Sequence, residues 1–149
     1  MKASEIISEI KTISHNQSDD FELSRKMLKN FEKTKNKLEQ VSTIDGLSLL
    51  RCTYGYSYLY FFVDNDMPVG FSMVDRRNPE ALTVSLIYLT VPFRKIGIGL
   101  KFYQYLLQDH NLLSDTHQTI GAQSLWKKLG SMPEYSMKRV GDRYLISTV

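Results

Sequence analysis

One stretch, residues 86–107, constrains this chain more than any other part of its sequence. It reads LIYLTVPFRKIGIGLKFYQYLL: an apolar, β-prone run that ends at Pro92, a basic turn spaced by glycines, and an apolar-faced helical segment. A strand, a glycine turn and a helix in that order leave unpaired backbone N–H groups at the start of the helix. Because Gly97 and Gly99 carry no side chain, an anion can approach those groups closely. The stretch therefore predicts a phosphate- or pyrophosphate-binding turn.

The composition is typical of an ordinary globular protein. The 149 residues are 42% hydrophobic and 23% charged, which predicts a single domain over residues 1–149. A net charge of +3 suits an anionic small ligand and is too small to indicate a nucleic-acid partner by itself. Cys52 is the only cysteine, so an internal disulfide and a cysteine-based metal cluster are excluded, and no metal is expected.

The sequence also favours a cytoplasmic protein. No apolar run approaches the length of a membrane span, and the first residues, MKASEIISEIK, are charged rather than signal-like. We therefore expect no membrane partner.

The N-terminal part, residues 1–41, is predicted to be helical. Isoleucines at helical spacing indicate a helix over residues 2–14, and a second helix is expected from Asp19 and Asp20 onward. Its predicted apolar stripe consists of Phe21, Leu28, Phe31 and Leu38. A basic cluster over residues 25–37 has two interpretations: a docking face for an acidic partner or nucleic acid, or a solvated helix face paired with nearby glutamates.

From residue 47 the pattern changes to short β-prone runs separated by turn residues. Strands are predicted over residues 47–52, 58–63, 67–74, 81–91 and 111–114, with helices after the glycine turn and over 119–129, and a closing hairpin over 135–149. This order predicts an α/β (α+β layered) fold, in which residues 47–149 form a mixed, mostly antiparallel sheet covered by helices.

The pattern Arg94-x-x-Gly97-x-Gly99, directly after a strand ending Leu-Thr-Val-Pro, resembles the acyl-CoA pyrophosphate loop of the GNAT superfamily of N-acetyltransferases. The order of elements is similar to that of the family from about Tyr58 to the C-terminus. The N-terminal part differs, because this family usually begins with a strand. Other nucleotide-binding patterns fit less well, since the chain has no Gly-x-x-x-x-Gly-Lys-[Ser/Thr] loop and no third glycine of a dinucleotide fold.

The resemblance implies acetyl-CoA as a co-substrate. In the family, N–H groups of the loop hold the CoA pyrophosphate, and the backbone of the preceding strand pairs with pantetheine as an added strand would. The residues implied here are Leu89, Val91, Arg94, Lys95, Ile96, Gly97, Ile98 and Gly99.

A second motif, LLSDTHQTIGAQSLWKKLG, resembles a phage- and mobile-element-like subset of the superfamily, with Ser-Asp after the fifth strand and Leu-Trp-x-x-Leu in the next helix. Many other members carry a tyrosine in that helix, whose hydroxyl protonates the departing CoA thiolate. Aligning Leu125, Lys128 and Gly130 with their motif puts Trp126 at the tyrosine position. An indole N–H is no practical general acid, so Trp126 is better interpreted as a core aromatic.

The proton acceptor is left open by the sequence. Many members of the family use a glutamate on the strand before the loop, but residues 81–91 contain no carboxylate. The candidates are Asp115, His117 and Tyr88, with His110 as a further one, each acting directly or through water. The more ordinary interpretation of Asp115 is a turn or helix-capping residue, and that of His117 is a solvated loop residue. Nothing near Cys52 in sequence would lower its pKa, so a cysteine nucleophile is not indicated.

The resemblance implies an enzyme, an acyl-CoA-dependent N-acyltransferase that transfers its acyl group directly to an amine of a small molecule or a protein. The alternative is a catalytically degenerate GNAT-fold interaction protein, phage-encoded, that binds a host macromolecule. The missing strand carboxylate and Trp126 favour this alternative. The closing hairpin and the many tyrosines could supply a homodimer surface.

Overall fold

The computed structural model describes residues 17–116, 118 and 120–149, and the side chains from residue 20 onward within this part. The helix predicted over residues 2–14 lies outside it. The described elements are α1 (Gln17–Thr34), β1 (Glu39–Ile44), β2 (Leu47–Tyr54), β3 (Ser57–Asp64), β4 (Met67–Asp75), β5 (Thr83–Leu89), α2 (Ile98–Leu107), β6 (Leu112–Leu113), α3 (Ile120–Gly130), β7 (Tyr135–Val140) and β8 (Arg143–Thr148). Short 3₁₀ turns follow α1 and β5, at Lys35–Lys37 and Val91–Phe93.

The first five strands form an antiparallel meander in the order β1-β2-β3-β4-β5. Its hairpins turn at residues that tolerate positive φ: Asp45 and Gly46 (50° and 82°) join β1 to β2, and Asn65 and Asp66 (48° and 67°) join β3 to β4. The central strand β3 is buried on both faces, which explains its unbroken apolar run.

Helices cover both faces of this sheet. On one face, Leu23, Met27 and Phe31 of α1 pack against β-strand residues that include Phe61 and Phe71. On the other face, α2 and α3 pack over a larger core. Its fully buried members include Leu49, Phe62, Phe102, Leu112, Leu129 and Ile146.

A second sheet, in the order β6-β8-β7, begins beside β5 and then diverges from it. The two sheets are joined at one parallel bridge between Leu82 and Leu112, where the Leu113 N–H donates to the Leu82 carbonyl at 2.8 Å. Beyond that bridge β5 is an edge strand of its sheet, with β4 on its inner side only. The outer edge of β5 is therefore left open where the two sheets diverge.

β5 also contains a bulge. Leu86 pairs with Met73 and Val84 pairs with Val74, so Ser85 has no partner on β4. A bulge bends its strand and redirects the residues on either side of it, and bulges occur frequently beside active sites.

The predicted fold class is confirmed: the described residues form a layered α/β arrangement, with a largely antiparallel sheet between helices. The predicted strands and the closing hairpin are all present. Among the described residues, no helix combines the length and the apolar character that a membrane span requires.

The predicted extent of the N-terminal helix is wrong. The helix α1 ends at Thr34, and the residues from Glu39 onward form β1, which pairs with β2 through the Asp45–Gly46 turn. Pairing with β2 stabilises β1 although most of its residues are polar. The apolar periodicity of the sequence therefore does not indicate this strand.

The predicted apolar stripe of α1 is also wrong at three of its four positions: Leu38 lies beyond the end of the helix, and two others are exposed. Phe21 and Leu28 are 62% and 43% exposed, whereas Leu23, Met27 and Phe31, each four residues from the next, are buried. Residues four apart lie on one helix face, so this second set is the one that faces the sheet.

Candidate functional site

The glycine turn after β5 leads directly into the first turn of α2. Lys95 and Gly97 have positive φ values of 61° and 92°, and Gly97 occupies the N-cap position of α2 without a side-chain cap. The first helical hydrogen bond runs from the Lys101 N–H to the Gly97 carbonyl at 3.1 Å. The N–H groups that precede Lys101 in the first turn have no acceptor within the helix and remain available to a ligand.

A cavity of about 500 Å³, which we call the β5–α2 cavity, lies against this turn. The end of β5, the glycine turn, the start of α2 and one side of α3 form its walls, with Ile87, Leu89, Gly99 and Leu125 among the lining residues. The lining is mainly apolar. Among the residues that the structure describes, its charged side chains are Arg94, Lys95 and Lys128, and none is acidic. An apolar cavity with cations and a helix N-terminus suits an elongated ligand that carries phosphate groups.

The open backbone edge of β5 forms part of this cavity. The Thr90 N–H donates to the Val69 carbonyl at 2.9 Å, so Thr90 faces β4. Because successive residues of a strand face opposite sides, the N–H and C=O groups of Ile87 and Leu89 face the outer edge. An extended amide-containing ligand could pair with them.

Arg94 is held in place by contacts with both β5 and α1. Its Nε donates to the Leu89 carbonyl at 2.7 Å, its guanidinium pairs with the Asp20 carboxylate, and it lies 5.5 Å from the centre of the Tyr88 ring. One outward-facing carbonyl of β5 is thereby already occupied. Much of the positive charge of Arg94 is offset by Asp20, which leaves Lys95 and Lys128 as the less engaged cations of the cavity.

The structure brings most of the predicted cofactor-binding residues together. Six of the eight line the β5–α2 cavity: Leu89, Arg94, Lys95, Gly97, Ile98 and Gly99. Val91 and Ile96 do not line it and are 65% and 57% exposed. Val91 lies outside the strand because β5 ends at Leu89 and a 3₁₀ turn follows.

A second cavity, of about 310 Å³, lies farther back along β5, and we call it the Asp115 cavity. Thr83 and Ser85 of β5, Asp115 after β6 and Arg143 of β8 line it, together with Asp75 and Arg77 from the end of β4 and the turn beyond. The two cavities therefore lie one after the other along a single strand, on the side where the sheets diverge.

Ser114 anchors the chain that carries Asp115. Its N–H donates to the Tyr144 carbonyl and its hydroxyl accepts from the Tyr144 N–H, both at 2.8 Å. Its carbonyl accepts from Arg143 Nε at 2.6 Å. These contacts fix the backbone directly before Asp115.

The Asp115 carboxyl group has one engaged oxygen and one that is not. Oδ1 accepts from the Thr116 hydroxyl at 3.4 Å. Oδ2 is out of contact with solvent and accepts no hydrogen bond from any described residue. A buried acceptor without a donor is costly, about 1–3 kcal/mol, and such groups commonly mark functional positions.

Tyr103 lies between the two cavities. It lines the β5–α2 cavity, and its hydroxyl is close enough to Asp115 for the two to interact electrostatically. Burial raises the pKa of Tyr103 well above its usual value, a hydrogen bond from the Trp126 indole opposes the shift, and Asp115 adds to it. Tyr103 thus remains a neutral hydroxyl.

Trp126 is a core aromatic, as the sequence indicated. It is 6% exposed, and its ring centre lies 6.3 Å from that of Tyr103 in an edge-to-face arrangement. Its neighbours Leu125 and Lys128, not Trp126 itself, line the β5–α2 cavity.

The other candidate proton acceptors are placed less favourably. The Tyr88 hydroxyl donates to the backbone carbonyl of Asp20 at 3.3 Å; burial and the Asp20 carboxylate raise the pKa of this tyrosine, although Arg94 opposes the shift. His110 is exposed and lines another cavity, beyond the C-terminal end of α2. The helix α2 is about 15 Å long and separates it from the glycine turn. His117 lies outside the described residues.

Cys52 is buried on the α1 face of the sheet, away from both cavities. Burial raises its pKa, which agrees with the interpretation that it is not a nucleophile.

The basic cluster of residues 25–37 spans the end of α1 and the turn after it. Arg25 pairs with Glu22 at 3.8 Å and lies over the Phe21 ring, and burial lowers the pKa of Lys26. Glu39, one of the predicted partners, pairs with Arg51 of β2 instead.

Sequence reasoning missed three residues that shape the site. Asp20 belongs to α1 but reaches Arg94, and Thr83 and Arg143 meet across the two sheets, where Arg143 Nη2 donates to the Thr83 hydroxyl at 3.2 Å. These pairs are 74 and 60 residues apart in sequence, so no local pattern could indicate them.

The chain is similar in fold to several solved acetyltransferase structures. They include an acetyltransferase of the GNAT family from Staphylococcus aureus Mu50 (14% identity, TM-score 0.45, 98% of this chain and 88% of that one) and the ribosomal-protein-S18-alanine N-acetyltransferase of Escherichia coli (10% identity, TM-score 0.46, 92% of each). A third is a candidate streptothricin acetyltransferase from Bacillus anthracis in complex with acetyl coenzyme A (11% identity, TM-score 0.44); the match spans 65% of each chain, just under two thirds.

No protein-family model matches the sequence, and no curated protein matches it. The likeness to the solved structures concerns the arrangement of the backbone; at TM-scores below 0.5, neither ligand nor activity is inferred from it.

Proposed function

We propose that the protein is an acyl-CoA-dependent N-acyltransferase, with acetyl-CoA as donor, that transfers the acyl group directly to an amine. One observation supports this most strongly: a cavity of about 500 Å³ combines an uncapped helix N-terminus, cationic side chains and an open strand edge. The first two features suit phosphate groups and the third suits the amides of pantetheine.

In this proposal the donor lies along β5. Its pyrophosphate contacts the first-turn N–H groups of α2 with Lys95 and Lys128 nearby. Its pantetheine pairs with the outer edge at Ile87 and at the Leu89 N–H, since Arg94 occupies the Leu89 carbonyl. The thioester then lies toward the Ser85 bulge, between the two cavities. Backbone N–H groups of β5 stabilise the negative charge that develops on the thioester oxygen.

The acceptor amine approaches from the Asp115 cavity. An ammonium group has no lone pair, so it must lose a proton before it attacks the thioester carbon. Asp115 is the carboxyl group placed to receive that proton, directly or through water. The C–S bond breaks with its electron pair on sulfur, and the CoA thiolate takes a proton from water, since the neutral Tyr103 and Trp126 are poor acids.

Calorimetric titration with acetyl-CoA tests the binding step. Two adjacent lysines in the last turn of α3 provide a matched pair, because Lys128 lines the β5–α2 cavity and Lys127 does not. Lys128→Glu should weaken acetyl-CoA binding about tenfold, whereas Lys127→Glu should leave it within about twofold. Equal effects of the two variants, or no saturable binding by the unaltered protein, would refute the proposed donor site.

A thiol-release assay tests the transfer step. The protein is incubated with acetyl-CoA and a panel of amines, and free CoA thiol is measured against controls without amine. Amine-dependent release supports the enzyme. Acetyl-CoA binding without release for any amine would favour the alternative, a GNAT-fold protein that acts by binding a macromolecule.

A further inference from the structure

The Asp115 cavity differs chemically from the donor cavity. Asp75 is already paired with Arg77, whose Nε donates to Asp75 Oδ2 at 2.9 Å. Burial opposes the shift, but Arg77 and, to a smaller extent, Arg143 lower the pKa of Asp75; no ion pair of the described residues joins Asp75 to Arg143. Outside the Asp75–Arg77 pair, the charged groups of the cavity are one carboxyl group, Asp115, and one guanidinium group, Arg143.

These two groups line the same cavity without neutralising each other. Among the ion pairs of residues 20–116, 118 and 120–149, none joins Asp115 to Arg143. Arg143 is held by the Ser114 carbonyl through Nε and by the Thr83 hydroxyl through Nη2. A guanidinium carries five N–H donors, so this anchoring leaves donors for a further acceptor.

Asp115 in turn needs a donor. Its Oδ2 is buried and accepts no hydrogen bond from a described residue, and Asp115 is one of the residues that line the cavity. Separated positive and negative groups in one small cavity are satisfied together by a ligand that carries both an ammonium and a carboxylate group.

The size of the cavity sets a limit on that ligand. About 310 Å³ equals the share of roughly ten water molecules in the liquid. This is enough for a small molecule of about that many heavy atoms.

We infer that the acceptor is a small zwitterionic α-amino acid, whose amino group lies at Asp115 and whose carboxylate contacts Arg143. This inference rests on the proposed function for its transfer step and adds the class of acceptor. The α-ammonium loses one proton, the amine nitrogen bonds to the acyl carbon, and the C–S bond breaks. The products are an N-acyl amino acid and CoA thiol, with one proton released to the medium overall.

The test uses the full chain and two readouts. First, binding of each of the twenty common L-amino acids is measured by calorimetry in the presence of saturating CoA, and the best binder is compared with its amide and with its decarboxylated amine. Second, CoA thiol release is measured with acetyl-CoA and the same three compounds. We expect the amino acid to bind, and to react, at least tenfold better than either analogue that lacks the carboxylate.

Two variants assign the groups. Asp115→Asn should weaken the amino acid and its amide alike, because both need the amino-group partner. Arg143→Gln should remove the preference for the amino acid over the amide, and this ratio cancels any general loss of folded protein. The control is Arg139→Gln, on the neighbouring strand β7, an exposed residue whose Nε donates to Gly141 and which does not line the cavity; it should preserve the preference.

The outcomes separate the two proposals. If acetyl-CoA binds but no amino acid binds better than its amide, the acceptor class is wrong and the donor site stands. If Arg143→Gln leaves the preference intact, the carboxylate contact is wrong. If an amino acid binds with the expected preference but acetyl-CoA does not bind, the transferase proposal fails while the amino acid site stands.

Discussion

The two cavities along β5 share a strand but differ in how each is built. Most of the β5–α2 cavity is formed by consecutive chain, since β5, the glycine turn and α2 follow one another, and α3 adds the remaining wall. Its polar contacts are backbone N–H groups and cations. The Asp115 cavity is assembled from β4, β5, β6 and β8, and its polar contacts are side chains of both charges.

This difference corresponds to two kinds of ligand. Backbone groups and excess positive charge suit a polyanionic ligand of constant structure. A small cavity with separated charges suits one small molecule. Substitution of a single side chain can change which molecule it binds. Ser85, unpaired at the bulge, lies where the strand passes from one cavity to the other.

The largest expected effect concerns the Asp115 cavity alone. Asp115→Asn removes the proton acceptor while keeping the shape of the side chain, so kcat/KM should fall by roughly 10²- to 10⁴-fold. Acetyl-CoA affinity, measured by calorimetry, should stay within about twofold because Asp115 does not line the donor cavity. A variant that keeps full activity would exclude Asp115 as the proton acceptor.

Gly70→Ala should affect the donor cavity instead. A Cβ at Gly70 would lie 2.8 Å from the Tyr88 carbonyl oxygen and 2.5 Å from Leu89 Cδ2, so β5 must shift. We expect a loss of roughly 1–3 kcal/mol in unfolding free energy, measured by chemical denaturation, and weaker acetyl-CoA binding in the protein that remains folded.

The control for Gly70→Ala is Gly46→Ala, at a hairpin turn where the glycine has a φ of 82° and open space around it. That change strains the backbone without touching β5. It should lower stability and leave acetyl-CoA affinity unchanged; weaker binding in both variants would mean that stability, not the position of β5, controls affinity.

The contrast between consecutive and assembled regions also explains what the sequence could predict. The strand, glycine turn and helix of residues 86–107 are encoded locally. The sequence therefore predicts their order, and the chemistry of turns and helix termini explains why Gly97 and Gly99 lie where the helix begins. The closing hairpin and β2–β4 are equally local. β1 is local too, but its mostly polar residues conceal it, and the buried face of α1 competes with a second apolar set that is exposed. The Asp20–Arg94 and Thr83–Arg143 pairs join segments 74 and 60 residues apart, and no period in the sequence carries that information.

Raising the salt concentration should weaken ligand binding in the donor cavity much more than in the Asp115 cavity. Screening acts mainly on the attraction between exposed cations and a polyanion, because the Debye length falls from about 10 Å at 0.1 M to 3 Å at 1 M. Raising the salt from about 0.05 M to about 0.5 M should weaken acetyl-CoA binding roughly tenfold, by calorimetry. Amino acid binding, with no net charge on the ligand, should change less than about twofold. Equal salt dependence of the two ligands would contradict the charge difference between the cavities.

The smallest expected effect concerns Tyr103, in the wall between the cavities. Tyr103→Phe leaves the Trp126 indole N–H without its acceptor and should cost about 1 kcal/mol of unfolding free energy at pH 8. The pKa of Tyr103 is raised by burial, so above pH 10 the unfolded chain loses a proton that the folded protein keeps. The stability that this group confers is complete below about pH 10 and declines as the pH rises further. The decline measured by denaturation from pH 8 to 11 should therefore be shallower in Tyr103→Phe, and unaltered in Tyr56→Phe, where the side chain is 74% exposed. A decline of the same steepness in both variants would contradict the raised pKa of Tyr103 and its burial in the wall between the cavities.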